Sequence, residues 1–179
     1  ACPQLGSTNE EDLSRQIWNQ KYYAFQSLNF NIVTPSRWLA NCVSKSSLLS
    51  KNPVKVIPNG FPLDTYKPYA KSEIRKSLNI PENAKVILFG ADYLVNKRKG
   101  FAYLLEALRK ILPNKDYATV VLTFGNLPEG IQINTEHTIC SLGSITDENK
   151  LALYYSAADV FVIPSLEDNL PNTVVEAMA

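Results

Sequence analysis

Methionine and histidine each occur only once in this 179-residue sequence, as Met178 and His137. Because no methionine stands at its start, we expect the chain to be an internal piece of a longer protein. Cysteine is also scarce, and Cys2, Cys42 and Cys140 are widely separated and odd in number. Such spacing argues against a disulfide framework and a cysteine-based metal site, and it is typical of a reducing compartment.

Long apolar runs and an excess of one charge are missing too. No stretch approaches the roughly 20 apolar residues of a membrane span, and the N-terminal residues lack a signal-peptide pattern. Eighteen Lys and Arg against 17 Asp and Glu give a net charge of +1, which argues against a nucleic-acid partner. Apolar residues nevertheless make up 45% of the sequence, enough for one or two domains with a buried core.

Strand and helix patterns alternate along the chain from Lys85 onward, after one short helix. The predicted strands are 86–89, 119–124, 138–142 and 160–163, and the predicted helices are 71–78, 101–112 and 148–157. This alternation predicts an α/β fold, a Rossmann-like parallel sheet with right-handed crossovers and helices on both faces. His137 begins one of the strands, where a solvated strand end is favoured over a catalytic base. Ligands of such sheets bind beyond the carboxyl ends of the strands.

Shorter elements are predicted before residue 60. The polar run 7–12 favours a helix start, and apolar residues on one face extend that helix to about residue 28. A strand is predicted at 30–34, a helix opens after Pro35, and another strand is predicted at 54–57. For Ser36, helix capping is favoured over a contact with a substrate.

The final stretch, residues 159–179, combines a short strand, an acidic loop and the start of a helix. Asp168 lies in the loop, Asn172 is a good N-cap, and Glu176 falls one turn inside the helix. The N–H groups of a helix start can bind a phosphate, and carboxylates can accept hydrogen bonds from sugar hydroxyls. The simpler interpretation is a capped strand-to-helix turn with solvated carboxylates.

These residues carry a family resemblance. The spacing Asp168-x7-Glu176, preceded by Pro164-Ser165 and closed by Glu176-Ala-Met-Ala179, resembles the paired-acid motif of the family 4 retaining glycosyltransferases, which use nucleotide sugars and have the GT-B fold. Asp168 stands where that family usually has Glu. The resemblance implies that residues 1–52 end an N-terminal, acceptor-side domain and that residues 53–179 are an incomplete C-terminal domain that binds the nucleotide sugar.

A basic triplet, Lys97-Arg98-Lys99, precedes Gly100 and follows the first strand of the implied donor-binding domain. Three cations at the carboxyl end of a strand suit a diphosphate. The family has Gly-Arg directly after this strand and Lys-Gly further on. Lys99-Gly100 matches the second element, whereas Ala91 stands in place of the arginine, a role that Arg98 could take. Considered alone, such a triplet is usually a solvated surface turn.

The resemblance implies transfer of a sugar from a nucleoside-diphosphate sugar to an acceptor hydroxyl with retention, in surface polysaccharide or glycolipid synthesis. Lys99 and Arg98 would stabilise the leaving diphosphate, and Asp168 would bind hydroxyls of the donor sugar. The other implied donor-binding residues are Gly90, Asn169, Asn172, Thr173 and Glu176, with Glu176 on the ribose diol. No cofactor and no metal are expected, because cations and helix amides would take the part of Mg²⁺.

The implied partners are a nucleotide-sugar donor and a glycan or glycolipid acceptor. We expect a cytoplasmic enzyme that can lie at the inner face of the membrane through parts outside this chain, and an inactive product if residues 1–179 are made alone. Two alternatives stay open: a sugar-nucleotide epimerase of the GT-B fold, and a nucleotide- or glycan-binding lobe without activity. The sequence names neither the sugar, the base nor the acceptor.

Overall fold

The computed structural model describes residues 5–128 and 135–179, so Cys2 lies outside the described residues. The chain forms two compact units, residues 1–59 and residues 60–179. The helices are α1 (Leu13–Gln26), α2 (Arg37–Ser44), α3 (Lys71–Ser77), α4 (Phe101–Lys110), α5 (Glu148–Ala157) and α6 (Asn172–Met178). The strands are β1 (Ile32–Thr34), β2 (Val54–Val56), β3 (Lys85–Tyr93), β4 (Thr119–Asn126), β5 (Thr138–Ser141) and β6 (Val160–Phe161).

The first unit contains the two helices and two strands that the sequence predicts there. The Asp12 side chain accepts a hydrogen bond from the Arg15 N–H and caps α1, and Ser36 accepts one from the Leu39 N–H at 3.1 Å and caps α2. Helix capping by Ser36 is therefore confirmed. The apolar face predicted for α1 is not buried within this unit, since Leu13 is 59% and Ile17 40% exposed.

The division between the units follows from strand pairing. β2 pairs in parallel with β1, with Ile32 opposite Val54 and Thr34 opposite Val56. Strand β2 therefore belongs to the first unit, and the chain divides after Asn59, beyond the expected boundary between residues 52 and 53. The functional roles assigned to the two segments stay a prediction.

The second unit is built on a four-stranded sheet of order β5-β4-β3-β6 in which every pairing is parallel. One apolar cluster joins β3 and β4 to α3 and α5 on one face, with Leu88 and Leu122 fully buried. A second cluster packs α4 against the other face, with Phe89 and Leu108 at its centre. The predicted α/β fold, a parallel sheet flanked by helices on both faces, is confirmed.

Two glycines explain why β3 and β4 continue beyond the predicted strand ends. Gly90 lies inside β3, where a Cβ atom would overlap the ring of Phe124. Gly125, inside β4, has a φ of +121°, and a Cβ atom there would overlap the carbonyl oxygen of Ala91. The strands therefore approach each other closely where only glycine fits.

Asp159 joins three elements at the start of β6. Its carboxylate lies 2.9 Å from Arg75 Nη2 and 3.0 Å from Lys71 Nζ, and it accepts a hydrogen bond from the Val86 N–H at 2.8 Å. Partial burial would raise the pKa of Asp159, but the Val86 N–H and the two cations outweigh burial and lower the pKa to about 2. Arg75 is buried and also donates to the carbonyl oxygens of Ala157 and Ala84.

Candidate functional site

The basic turn, residues 97–99, is held in place from β3 and β4. Leu94, directly after β3, is fully buried, and its N–H donates to the Asn126 carbonyl oxygen at 3.0 Å. The turn is a single stretch of 3₁₀ helix, and the Asn96 side chain caps it by accepting a hydrogen bond from the Arg98 N–H at 3.0 Å. Local hydrogen bonds thus fix the backbone that carries the three cations.

The acidic loop, residues 164–171, packs directly on the basic turn. Gly100 has a φ of +75°, and a Cβ atom there would overlap the carbonyl oxygen of Pro164. The Leu166 N–H donates to the Arg98 carbonyl oxygen at 2.9 Å. The turn follows β3 and the loop follows β6, and these strands pair in parallel. Turn and loop therefore meet at the carboxyl edge of the sheet, where ligands of such sheets bind.

Asp168 is the charged centre of this contact. Lys99 Nζ lies 2.7 Å from Asp168 Oδ2, and Arg98 Nη1 lies 3.8 Å from Oδ1. The Ser165 hydroxyl donates to Asp168 at 3.2 Å, and Arg98 also donates to the Glu167 carbonyl oxygen at 3.0 Å. Partial burial would raise the pKa of Asp168, but Lys99, Ser165 and Arg98 together lower it. At neutral pH the cluster therefore holds an ionised carboxylate between two cations.

The following helix, α6, begins at Asn172 with Pro171 before it. The prediction of Asn172 as the N-cap is therefore wrong by one residue, because proline, with its fixed φ, already occupies the extended position that precedes the helix. Asn169 and Thr173 are half-buried on either side of this junction. The roles of all three residues toward a donor stay predictions.

Glu176, on α6, is half-buried and contacts α5. The Tyr155 hydroxyl donates a hydrogen bond to Glu176 Oε2 at 2.8 Å. Burial raises the pKa of Glu176 and the nearby Glu148 raises it further, while the hydrogen bond from Tyr155 partly offsets both. Both side chains line a cavity of about 250 Å³ together with Tyr66, whose pKa is raised to about 12 by burial and the neighbouring carboxylates.

The structure thus brings the predicted residues together as two groups. Arg98, Lys99 and Asp168 form the charged cluster at the carboxyl edge, and Glu176 pairs with a tyrosine of α5. Gly90 lies inside β3, and the close approach of the Phe124 ring explains why this position holds a glycine. Its role toward a donor stays a prediction. Sequence reasoning missed the contributions of Ser165 and Tyr155; the Pro-Ser element pointed to the first, whereas no local pattern signalled the second.

His137 is not a solvated strand end, and that expectation is wrong. The side chain is buried, and Nε2 lies 3.2 Å from the Leu108 carbonyl oxygen and 3.0 Å from that of Ile111. Because carbonyl oxygens only accept, Nε2 carries the proton and caps the last turn of α4. This buried contact satisfies carbonyl groups that a helix end leaves without partners.

A parallel sheet with helices on both faces, whose charged turn and loop meet at the carboxyl edge, defines a Rossmann-like α/β domain with a candidate ligand site at that edge. Residues 84–179 match the model of the family described as "Glycosyl transferases group 1". The chain belongs to this family.

Two curated proteins illustrate the similarity. An uncharacterized glycosyltransferase of Methanocaldococcus jannaschii is 29% identical over 157 residues, which cover 83% of this chain and 40% of that protein. The lipopolysaccharide 1,2-N-acetylglucosaminetransferase of Salmonella typhimurium is 26% identical over 161 residues, covering 83% of this chain and 41% of that protein. The chain therefore spans about two fifths of the length of these relatives.

Solved structures share the fold. Sucrose-phosphate synthase from Thermosynechococcus elongatus superposes with a TM-score of 0.72 at 21% identity, covering 98% of this chain and 45% of that one. A glycosyltransferase from Rickettsia africae superposes with a TM-score of 0.67 at 16% identity, covering 95% of this chain and 46% of that one. At these identities the likeness is one of fold. Within the described residues, no helix is both long enough and apolar enough to cross a membrane.

Proposed function

We propose that this chain contains the donor-binding part of a retaining, nucleotide-sugar-dependent glycosyltransferase of family 4. The observation that supports the proposal is the contact of Lys99 and Arg98 with Asp168, which brings two cations and a carboxylate together at the carboxyl edge of the sheet. Cations suit a diphosphate, and a carboxylate suits sugar hydroxyls. Family membership of residues 84–179 supports glycosyl transfer as the reaction class. The enzyme moves a sugar from a nucleoside diphosphate to an acceptor hydroxyl.

The charge arrangement suits the departure of a diphosphate. In the free protein Asp168 neutralises Lys99, and a bound donor places its diphosphate near Lys99 and Arg98 and its sugar hydroxyls near Asp168. As the bond to the anomeric carbon breaks, negative charge grows on the diphosphate, and the fixed cations stabilise that charge more than they stabilise the intact donor. Glu176 binds the ribose diol, and no metal takes part.

The acceptor is proposed from the relatives. One relative is named as a lipopolysaccharide N-acetylglucosaminetransferase, which supports a glycan or glycolipid acceptor and a place in surface polysaccharide synthesis. In this proposal residues 1–52 are the end of the acceptor-side domain. Because the chain spans only two fifths of that relative, any contact with a membrane surface is assigned to parts outside this chain.

The test is a comparison of Lys99→Ala with Lys110→Ala in the full-length protein. Lys110 pairs with Glu106 on the exposed side of α4, so its substitution removes the same charge far from the proposed phosphates. We expect Lys99→Ala to weaken binding of UDP, GDP or ADP, whichever binds wild type best, by about ten- to a hundredfold, the value of one charge-assisted hydrogen bond. Binding of the corresponding nucleoside should change little, and Lys110→Ala should change neither.

Isothermal titration calorimetry gives both affinities. Equal losses of affinity for the nucleotide and for the nucleoside would show that the basic turn is a solvated surface turn that does not bind the diphosphate. Turnover of the donor is measured on the same preparations, because a binding lobe without activity leaves the donor sugar neither hydrolysed nor transferred.

A further inference from the structure

Tyr155 lies outside the predicted site residues and contacts one of them, Glu176, directly. It lies near the end of α5 and donates its hydroxyl to Glu176 Oε2 at 2.8 Å. Its ring is held edge-on by Phe124 and Phe161, with centroids 6.0 Å and 5.3 Å away, and tilts against Tyr66 at 6.3 Å. An aromatic ring packed on several sides has few alternative positions, so the hydroxyl is fixed relative to the sheet.

The direction of this hydrogen bond is also fixed. Burial raises the pKa of Tyr155, and the Glu176 carboxylate raises it further, so the phenol keeps its proton and donates. A carboxylate offers about four acceptor positions on two oxygens, and one hydrogen bond to Oε2 leaves most of them for other donors. Glu176 can therefore be held by Tyr155 and still accept hydrogen bonds from a ligand.

We propose that Tyr155 is a positioning residue that holds the Glu176 carboxylate in the orientation that binds the ribose diol of the donor. This inference rests on the proposed function, since it needs Glu176 to contact the ribose. A glutamate side chain without such a partner samples several rotamers, and each bound ligand must then order it again. Tyr155 removes this cost before the donor arrives, in the way that preorganisation raises affinity.

The experiment compares four forms of the full-length protein: wild type, Tyr155→Phe, Glu176→Gln and the control Tyr154→Phe. Tyr154 precedes Tyr155 on α5 and lines neither the cavity nor the Glu176 contact, so its substitution removes a hydroxyl from the same helix. Each form is titrated with UDP, GDP and ADP, and the nucleotide that binds wild type best is then compared with its 2′-deoxy counterpart. The measured quantity is the ratio of the two dissociation constants.

A positioning role predicts that Tyr155→Phe lowers this ribose preference about three- to tenfold, the value of one ordered side chain, while Tyr154→Phe leaves it unchanged. A purely structural role of Tyr155 would weaken both nucleotides equally and keep the ratio, and that result overturns the inference. So does tighter ribose binding by Tyr155→Phe, since the hydroxyl would then compete with the diol.

Glu176→Gln separates this inference from the proposed function. If Glu176→Gln loses the ribose preference and Tyr155→Phe keeps it, Glu176 binds the ribose without help from Tyr155, and only the positioning role fails. If wild type binds none of the three nucleotides, or binds ribose and deoxyribose forms equally, both the positioning role and the assignment of Glu176 fail.

Discussion

At the scale of single residues, two aspartates with lowered pKa values have different surroundings. Asp168 faces Lys99 and Arg98 at the carboxyl edge of the sheet, where a bound ligand can take the place of one of these cations as its partner. Asp159 contacts Arg75 and Lys71 at the opposite end of the β6 segment and also binds a strand N–H. A lowered pKa therefore does not by itself mark a functional carboxylate, and position relative to the strand ends separates the two cases.

Asp159→Asn should destabilise the second unit by about 2–3 kcal/mol at neutral pH. The substitution leaves the buried Arg75 guanidinium without its counter-charge, and the loss is smaller than for a fully buried pair because the Asp159 side chain is 35% exposed. Urea unfolding measures the change. Glu106→Gln, which breaks the exposed pair with Lys110, is the control and should stay within about 0.5 kcal/mol.

The same variant has a defined pH dependence. Because the pKa of Asp159 is lowered to about 2, its stabilising effect is fully present above the ordinary pKa near 3.8 and is lost as the pH falls toward 2. The difference in unfolding free energy between wild type and Asp159→Asn should therefore narrow from about pH 4 to pH 2. A difference that stayed constant over this range would contradict the ion pair.

At the scale of elements, the packing of the basic turn on the acidic loop depends on Gly100. Gly100→Ala and Gly143→Ala form a matched pair, since both glycines have positive φ, +75° and +69°. No atom lies within 4 Å of a Cβ atom at Gly143, whereas one at Gly100 overlaps the Pro164 carbonyl oxygen. Gly143→Ala should cost about 1–2 kcal/mol of unfolding free energy from backbone strain alone.

Gly100→Ala should cost clearly more than Gly143→Ala, because turn and loop must also separate. The separation should weaken nucleoside-diphosphate binding as well, which Gly143→Ala should leave near the wild-type value. Chemical denaturation and calorimetric titration of the two variants give both quantities. Equal effects of the two substitutions on stability and on binding would mean that the contact between Gly100 and Pro164 has no consequence for the site.

Much of this element arrangement could be predicted from the sequence, because local patterns determine it. Apolar runs predicted all four strands of the second sheet. The stretch 159–179 predicted a strand, an acidic loop and a helix, and the structure contains them in that order. Strand β3 was predicted to end at residue 89, because a glycine such as Gly90 is typical of a strand end. In the structure β3 continues through Gly90, where the absence of a side chain leaves room for the ring of Phe124. A glycine that serves close packing has no local signature that distinguishes it from a turn glycine.

Side-chain partners far apart in the sequence were the part that could not be predicted. Tyr155 meets Glu176 because α5 and α6 pack together. His137 reaches the end of α4 because it directly precedes β5, which packs against the same apolar cluster as α4 through Ile139. Neither contact leaves a periodic or spaced pattern in the sequence. The pairing of Lys99 with Asp168 could be anticipated only because parallel strands bring their carboxyl ends to one edge.

At the scale of the whole molecule, buried apolar side chains are distributed unequally between the two units. Within the described residues, Val43 is the one buried apolar side chain of residues 1–59, and both apolar clusters lie in residues 60–179. The first unit also has a sheet of only two strands, which is marginal by itself. The second unit should therefore be the more stable of the two when residues 1–179 are produced alone.

This difference predicts two unfolding transitions in urea. Both tryptophans, Trp18 and Trp38, lie in the first unit, so tryptophan fluorescence reports on that unit, while far-UV circular dichroism is dominated by the second. The variant Trp38→Phe leaves Trp18, which stacks on Tyr22 and donates to the Ser47 hydroxyl at 3.2 Å, as a single probe. Its fluorescence should change at a lower urea concentration than the main change in circular dichroism.

Hydrogen exchange provides an independent measure of the same property. Amides of β3 and β4, at the centre of the second sheet, should exchange most slowly. Amides of β1 and β2 should exchange faster, because the local unfolding that exposes them to solvent requires less free energy. Coincident transitions by fluorescence and circular dichroism, with equal protection in the two sheets, would show that the units unfold as one cooperative body. The unequal distribution of apolar burial would then not determine the order of unfolding.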